Sequence, residues 1–324
     1  MSDTATTTRP GRTVETVPVT RLGNGHDLEL TVHRVVGTRP GKTLVAFGGI
    51  HGDEAMGPEE VRRLVTSVDP AELSGTIIAV PVANPYAYDA MSRFTPHDGL
   101  NLNRIFPGDR KGSVTEQLAA VLAEIITGAD HFIDFHSSGL YSTVEYAYVM
   151  DDGRDMATGF GSPLLYHHAP YEGSSNAWAI TNGISSTVCE LGGGGQLTDA
   201  FLDKAVSRGR NMLKAIGMLD GEPEPPAAPQ KVLTELVILR PTQGGAIISD
   251  YAPDRLGEVV KGGTVLGRVV DPYTFEVIEE LVAPFESSVL VLTREGYTRT
   301  TPGDYGFMVG NADTTLTVEE LFDR

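Results

Sequence analysis

The chain has 324 residues, of which 40% are hydrophobic, and its 25 basic and 43 acidic side chains give a formal net charge of −18. That length accommodates one large unit and one smaller one, each with its own core. The acidic balance argues against a nucleic-acid phosphate backbone or an anionic membrane surface as partner, and an anionic small molecule would need a local cluster of arginines.

At the N-terminus, Met1–Thr8 lack the apolar centre of a signal peptide, and residues 1–20 are read as a mobile tail. The lone cysteine, Cys189, excludes an intrachain disulfide and fits a reducing, cytoplasmic setting. No apolar stretch approaches the roughly 18 residues of a spanning helix. The apolar run Thr43–Phe47 predicts a buried strand that ends in the turn Gly48-Gly49, just before His51-Gly52-Asp53-Glu54. Pro58 suits the first turn of a helix through Glu59–Val65, and Thr76–Val80 reads as the next strand. Ser113-Val114-Thr115-Glu116 is a capping-box pattern opening a helix with Leu118, Val121, Leu122, Ile125 and Ile126 at helical spacing.

Strands follow at His131–Phe135, Val144–Val149 and Ser185–Glu190, and an amphipathic helix runs from about Thr198 to Leu219. The alternation of strands and helices over residues 21–220 implies an α/β unit with a mostly parallel sheet covered on both faces. Its chemistry is expected at the carboxyl ends of the strands. Residues 221–230 are proline-rich and read as a linker. Over 231–324 short β-branched runs separated by Gly, Pro and Asp turns predict a small all-β sandwich or barrel.

His51 and Glu54 stand three residues apart, and His136 ends a second apolar strand. Two histidines and a glutamate at strand ends form a ligand set that zinc accepts while a position stays open for water. A lone His-x-x-Glu also arises by chance, and a strand-end histidine can be merely hydrogen-bonded; the glycine turn, the strand placement and His136 together favour the metal. Asp134 shares a strand face with His136. It reads either as the acceptor for that histidine's second nitrogen or as a carboxylate bonded elsewhere. Glu190 closes an apolar strand before Gly192–Gly195, and reads as a general base or as a solvent-facing strand end. Alternation turns Cys189 away from Glu190, towards the core. Asn103 and Arg104 occupy a loop where a guanidinium fork could clamp a carboxylate. The adjacent His167 and His168 point to opposite faces of a strand and read as structural, and His97 sits in the substrate loop with no assigned role.

Four motifs in order, Gly49–Glu54, Asn101–Phe106, Asp134–Gly139 and Glu190–Gly193, resemble the aspartoacylase/succinylglutamate desuccinylase family of zinc carboxypeptidase-like hydrolases. The last two are most similar to the branch that deacetylates N-acetyl-2,4-diaminobutyrate. The resemblance implies a mixed sheet covered by helices, with a small C-terminal barrel-sandwich-like β unit that narrows the cleft. It implies one Zn²⁺ per chain held by His51, Glu54 and His136. Glu190 would take a proton from the activated water and pass it to the leaving amine, Arg93 would stabilise the oxyanion, and Asn103 and Arg104 would bind the substrate's carboxylate. The expected partner is a small N-acyl amino acid, acetyl or succinyl, and a homo-oligomer is compatible with the chain. Rival readings are a zinc carboxypeptidase acting on peptides and a non-catalytic metabolite-binding module. One departure stands out: the family has aspartate where this chain has Asn101, so the first histidine would lose a charged support unless Asp98 replaces it. A cleft tyrosine is expected from the C-terminal region, with Tyr297 and Tyr305 as candidates. That region has a lipoyl-like flavour, but the turn at Asp271–Thr274 has no lysine to modify.

Overall fold

The computed structural model describes residues 9–193, 199–226 and 228–322. In chain order the first part comprises β1 (Gly11–Arg21), β2 (Asp27–Val36), β3 (Arg39–Gly48), α1 (Met56–Ser67), β4 (Ser74–Val80), α2 (Pro85–Asp89) and α3 (Val114–Ile126). Next come β5 (His131–His136), β6 (Ser142–Val149), α4 (Arg154–Phe160), β7 (Leu164–His167), α5 (Ser175–Thr181), β8 (Ser185–Gly193) and α6 (Asp199–Ala215). The C-terminal part adds β9 (Lys231–Leu233), β10 (Leu236–Leu239), β11 (Gly245–Ser249), β12 (Val259–Lys261) and β13 (Val265–Val270). It ends with β14 (Val277–Val282), β15 (Ser287–Arg294), β16 (Tyr297–Thr300), β17 (Phe307–Asn311) and α7 (Val318–Phe322).

A 13-stranded sheet runs in the order β1-β2-β4-β3-β5-β8-β6-β15-β17-β10, with β7, β9 and β12 attached at its side. Its centre is parallel, where β4, β3, β5 and β8 lie side by side, and so are the side pairings of β7 with β6 and with β9. The other pairings are antiparallel, so the sheet is mixed rather than mostly parallel. All six residues of β5 are buried, because helices cover both faces of the centre. Alternation sends Leu44, Ala46, Ile133 and Phe135 into a core with α1 and α6, and Val45, Phe47 and Phe132 into a core with α3. In α3 the expected capping box is present, with the Ser113 N–H donating to Glu116 at 2.7 Å. Its Leu118, Val121, Leu122 and Ile126 are buried, each contributing roughly 1.5–3 kcal/mol.

The N-terminal tail expected over 1–20 is corrected in part: β1 pairs along its length with β2, in which Leu28, Leu30 and Val32 are buried between exposed neighbours. That period of two buries one face of an edge hairpin. The C-terminal strands divide between two sheets. β10, β15 and β17 continue the large sheet through the pairing of β15 with β6. A separate four-stranded antiparallel sheet has the order β14-β13-β11-β16. Among the described residues no helix is long and apolar enough to cross a membrane.

Candidate active site

The loop after β3 carries the first two ligand candidates, and its shape depends on glycine. Gly49 adopts a φ of +63°, a left-handed conformation that costs a side-chain-bearing residue energy. At Gly52 a Cβ would lie 1.8 Å from the Ala87 carbonyl oxygen, so only glycine lets the loop rest on α2. The turn brings His51 Nδ1 to 2.7 Å from Glu54 Oε1. His136, at the end of β5, places its Nδ1 2.7 Å from the other oxygen, Glu54 Oε2. The donor atoms of the three buried residues all lie within 4.8 Å of one another.

The two outer nitrogens are held alike in distance and differently in charge. His51 Nε2 is 3.1 Å from Asn101 Oδ1, and His136 Nε2 is 3.1 Å from Asp134 Oδ2. Both contacts fix the tautomer that leaves Nδ1 for the centre. Burial drops the His51 pKa to about 4, against the pull of Glu54. Burial also disfavours the charged form of His136, but the carboxylates of Asp134 and Glu54 override it and hold the pKa well above the usual imidazole value. For Glu54, burial is overcome by the two imidazoles, which keep it ionised. Two imidazoles and an ionised carboxylate, converging with their outer atoms already bonded, fit a zinc ion by donor type and number.

Asp134 thus takes the supporting role, with the Ser175 hydroxyl donating to it at 2.6 Å. Asp98 does not stand in for the missing aspartate: its carboxylate accepts from the Thr115 N–H at 2.8 Å, the Thr115 hydroxyl at 2.6 Å and the Leu100 N–H at 3.2 Å. It braces the start of α3 instead.

Glu190 lies beside His136 in the β5–β8 ladder and lines the same cavity, of about 710 Å³. Burial pushes its carboxyl up to about 8, against the charge of His136. Cys189 points into the core on the other face, as alternation requires. The Arg93 guanidinium is 3.0 Å from Glu54. Asn103 is buried, accepting from the Ser175 N–H at 2.9 Å, with its amide nitrogen 3.3 Å from His136 Nε2. Arg104 donates to the Asn103 carbonyl at 2.6 Å and lies 4.8 Å over the Tyr171 ring. All seven residues named from the sequence line this one cavity.

Of the two tyrosine candidates, Tyr305 lines the cavity whereas Tyr297 is 68% exposed. Tyr305 is also near enough to Arg93 for its oxygen to favour the charged guanidinium. His97 is exposed and stacks on Tyr86, with ring centres 4.2 Å apart, outside the cavity. His167 bonds the Val149 carbonyl and His168 stacks between Tyr166 and Tyr171, so both are structural. Gly194 and Gly195 lie outside the described residues. Sequence reasoning missed Asp53, Tyr146 and Tyr148 and the arginines of the C-terminal wall, Arg240, Arg294 and Arg299. With Arg93 and Arg104, these supply the arginine cluster that an anionic group would need in so acidic a chain.

Residues 40–216, more than half of the chain, match the succinylglutamate desuccinylase/aspartoacylase catalytic domain. The chain belongs to this family. Its relatives in the succinylglutamate desuccinylase/aspartoacylase family include an N-alpha-acetyl-L-2,4-diaminobutyric acid deacetylase of Halomonas elongata. That protein is 31% identical over 254 residues, 73% of this chain and 73% of the relative. A crystal structure of a succinylglutamate desuccinylase from Silicibacter sp. TM1040 is 27% identical with a TM-score of 0.80, covering 94% of this chain and 95% of that one. The product-bound ectoine utilization protein EutE (DoeB) from Ruegeria pomeroyi has the same fold, with 24% identity, a TM-score of 0.82 and coverage of 94% and 97%.

Proposed function

We propose that this family member is a zinc-dependent amidohydrolase that removes an N-acyl group, acetyl or succinyl, from a small amino-acid derivative. The observation that carries the reading is the convergence of His51, Glu54 and His136 next to a buried Glu190 in a single cavity. Zinc, when bound by those three side chains, would acidify a water and polarise the amide carbonyl. The residues of the chain do the rest. Arg104, stacked on Tyr171, and the amide N–H groups of Asn103 receive the substrate's carboxylate. Arg93 faces the carbonyl oxygen as negative charge develops there. Glu190, whose carboxyl burial holds near neutral proton affinity, accepts a proton from the attacking water and returns it to the departing amine nitrogen. Tyr305, beside Arg93, closes that corner of the cleft.

The test is release of free amine from a panel of N-acetyl, N-succinyl and N-formyl amino acids, with zinc and with chelator. Chelator-sensitive turnover of at least one compound is expected. Glu190→Gln should lower kcat by about 10²–10⁴-fold while zinc stays bound at one per chain. Turnover confined to the C-terminal residues of peptides would replace the deacylase with a carboxypeptidase, and tight ligand binding without turnover would make it a binding module.

A further inference from the structure

Ser175 stands between the candidate metal ligands and the loop of Asn103 and Arg104, and does not itself line the cavity. It opens α5 and is fully buried. Its hydroxyl donates to Asp134 Oδ2 at 2.6 Å, and its N–H donates to Asn103 Oδ1 at 2.9 Å. The first N–H groups of a helix have no partner within it, which frees this one for Asn103. Asp134 is fully buried too, and its Oδ1 has no hydrogen-bond partner among the described residues. The Ser175 hydroxyl and the His136 ring, both at Oδ2, hold that carboxylate. The segment that carries Ser175 is fixed on both sides. The Gly173 carbonyl accepts from the Phe106 N–H at 2.8 Å, and a Cβ at Gly173 would lie 2.2 Å from the Arg104 carbonyl oxygen. Asn176 donates to the Ser186 hydroxyl at 2.6 Å and to the Thr187 carbonyl at 3.1 Å, tying α5 to β8.

We propose that Ser175 is a positioning residue that orients the metal ligand His136 and the carboxylate-binding amide of Asn103 together. The inference rests on the deacylase reading, which assigns those roles to the two side chains. An amide and an imidazole can each turn a donor or an acceptor to the site, and Ser175 removes the choice with two donors. Its N–H claims the Asn103 oxygen, so the amide nitrogen, not the oxygen, is left for the incoming carboxylate. Its hydroxyl pins Asp134 Oδ2 at 3.1 Å from His136 Nε2. There the carboxylate accepts the Nε2 proton and leaves the Nδ1 lone pair for the metal. Without the hydroxyl, Asp134 would keep His136 as its single partner and could turn its oxygens.

Ser175→Ala and Ser175→Pro separate the two donors. The first deletes the hydroxyl and keeps the N–H; the second, at a helix position that suits proline, deletes both. Zinc affinity is read by competition with a chromophoric chelator, and folding by circular dichroism. The values of kcat and KM come from amine release from an N-acetyl amino acid at saturating zinc. Ser175→Ala should weaken zinc binding by about 10–100-fold and leave KM near the wild-type value. Ser175→Pro should add a roughly 3–10-fold rise in KM. In an Asp134→Asn background the hydroxyl has no charged acceptor to pin, so adding Ser175→Ala should cost little further zinc affinity. Wild-type zinc affinity in folded Ser175→Ala, a fully additive loss in the double variant, or equal KM in the two Ser175 variants would overturn the assignment and leave a deacylase standing. Silence of the wild type towards the whole acyl panel would overturn both.

Discussion

The two histidines of the site form a matched pair within one molecule, and Asn101→Asp tests what separates them. Each Nδ1 lies 2.7 Å from Glu54 and each Nε2 lies 3.1 Å from an oxygen. For His136 that oxygen belongs to the Asp134 carboxylate, and for His51 to the Asn101 amide. Giving His51 a carboxylate at the same place turns a neutral hydrogen bond of 3.1 Å into a charge-assisted one of roughly twice the strength. Most of that gain is spent desolvating the new anion. Part of the desolvation is covered already, since the Asn103 N–H donates to the same Oδ1 at 2.9 Å. Changes to outer-shell partners shift metal affinity by about 10–100-fold, and the desolvation cost puts the expectation at the lower end, zinc binding about tenfold tighter. The assay is competition with a chromophoric chelator at fixed pH, with circular dichroism to check the fold. Unchanged or weaker zinc binding in a folded variant would refute the argument that the amide leaves His51 a poorer ligand.

Other perturbations follow from packing and from titration. Gly52→Ala puts a Cβ against the Ala87 carbonyl and should cost about 1–3 kcal/mol, with zinc content falling below one per chain by metal analysis because the His51 loop must move; a wild-type unfolding midpoint with full zinc content would contradict that contact. Asp98→Ala removes three accepted bonds and should cost about 1–2 kcal/mol in urea unfolding. Burial opposes ionisation of Asp98, but the Thr115 donors keep its pKa below the usual carboxylate value. Its contribution is therefore present above about pH 4 and lost as pH falls through the lowered value, so wild type and variant should converge in acid. Glu60 is buried with both oxygens lacking a partner, and burial, then the charge of Glu190, raises its pKa well above normal. A raised carboxyl pKa means stability is lost as pH climbs past about 4.3. Glu60→Leu should accordingly be stabilised by about 1–4 kcal/mol at pH 8 and by less at pH 5, read from denaturant midpoints, and equal midpoints at both pH values would argue against a buried charge.

The site could be read from the chain wherever the chemistry was local. His51 and Glu54 share one turn, and His136 and Glu190 each end an apolar run, so strand ends alone put three metal candidates and a candidate base in one place. The sequence alone does not choose between the two roles of Asp134, because the choice depends on the ring plane of His136, which only packing sets. Asp98 is near Asn101 in sequence, but Thr115 supplies it with donors from α3 that no motif advertises. Tyr146 and Tyr148 were invisible as site residues, since nothing in the run Val144–Val149 says that β6 will pair antiparallel to β8 with Tyr146 facing Glu190. The alternation of Leu28, Leu30 and Val32 was there to be read, and with it the β1–β2 hairpin. The C-terminal runs were recognised as strands, but their division between two sheets depends on long-range pairing that local pattern does not carry.

The ladder between β6 and β15 pairs Val144 with Leu292, Thr143 with Thr293 and Ser142 with Arg294. Through it, the wall that bears the tyrosines and the wall that bears Arg294 are strips of one continuous fabric. Jaws hinged on a flexible joint could gape to admit a long chain and shut on a short one; walls woven together by backbone hydrogen bonds keep their spacing. The bore of the cleft is thus set by the same backbone ladder that builds the sheet.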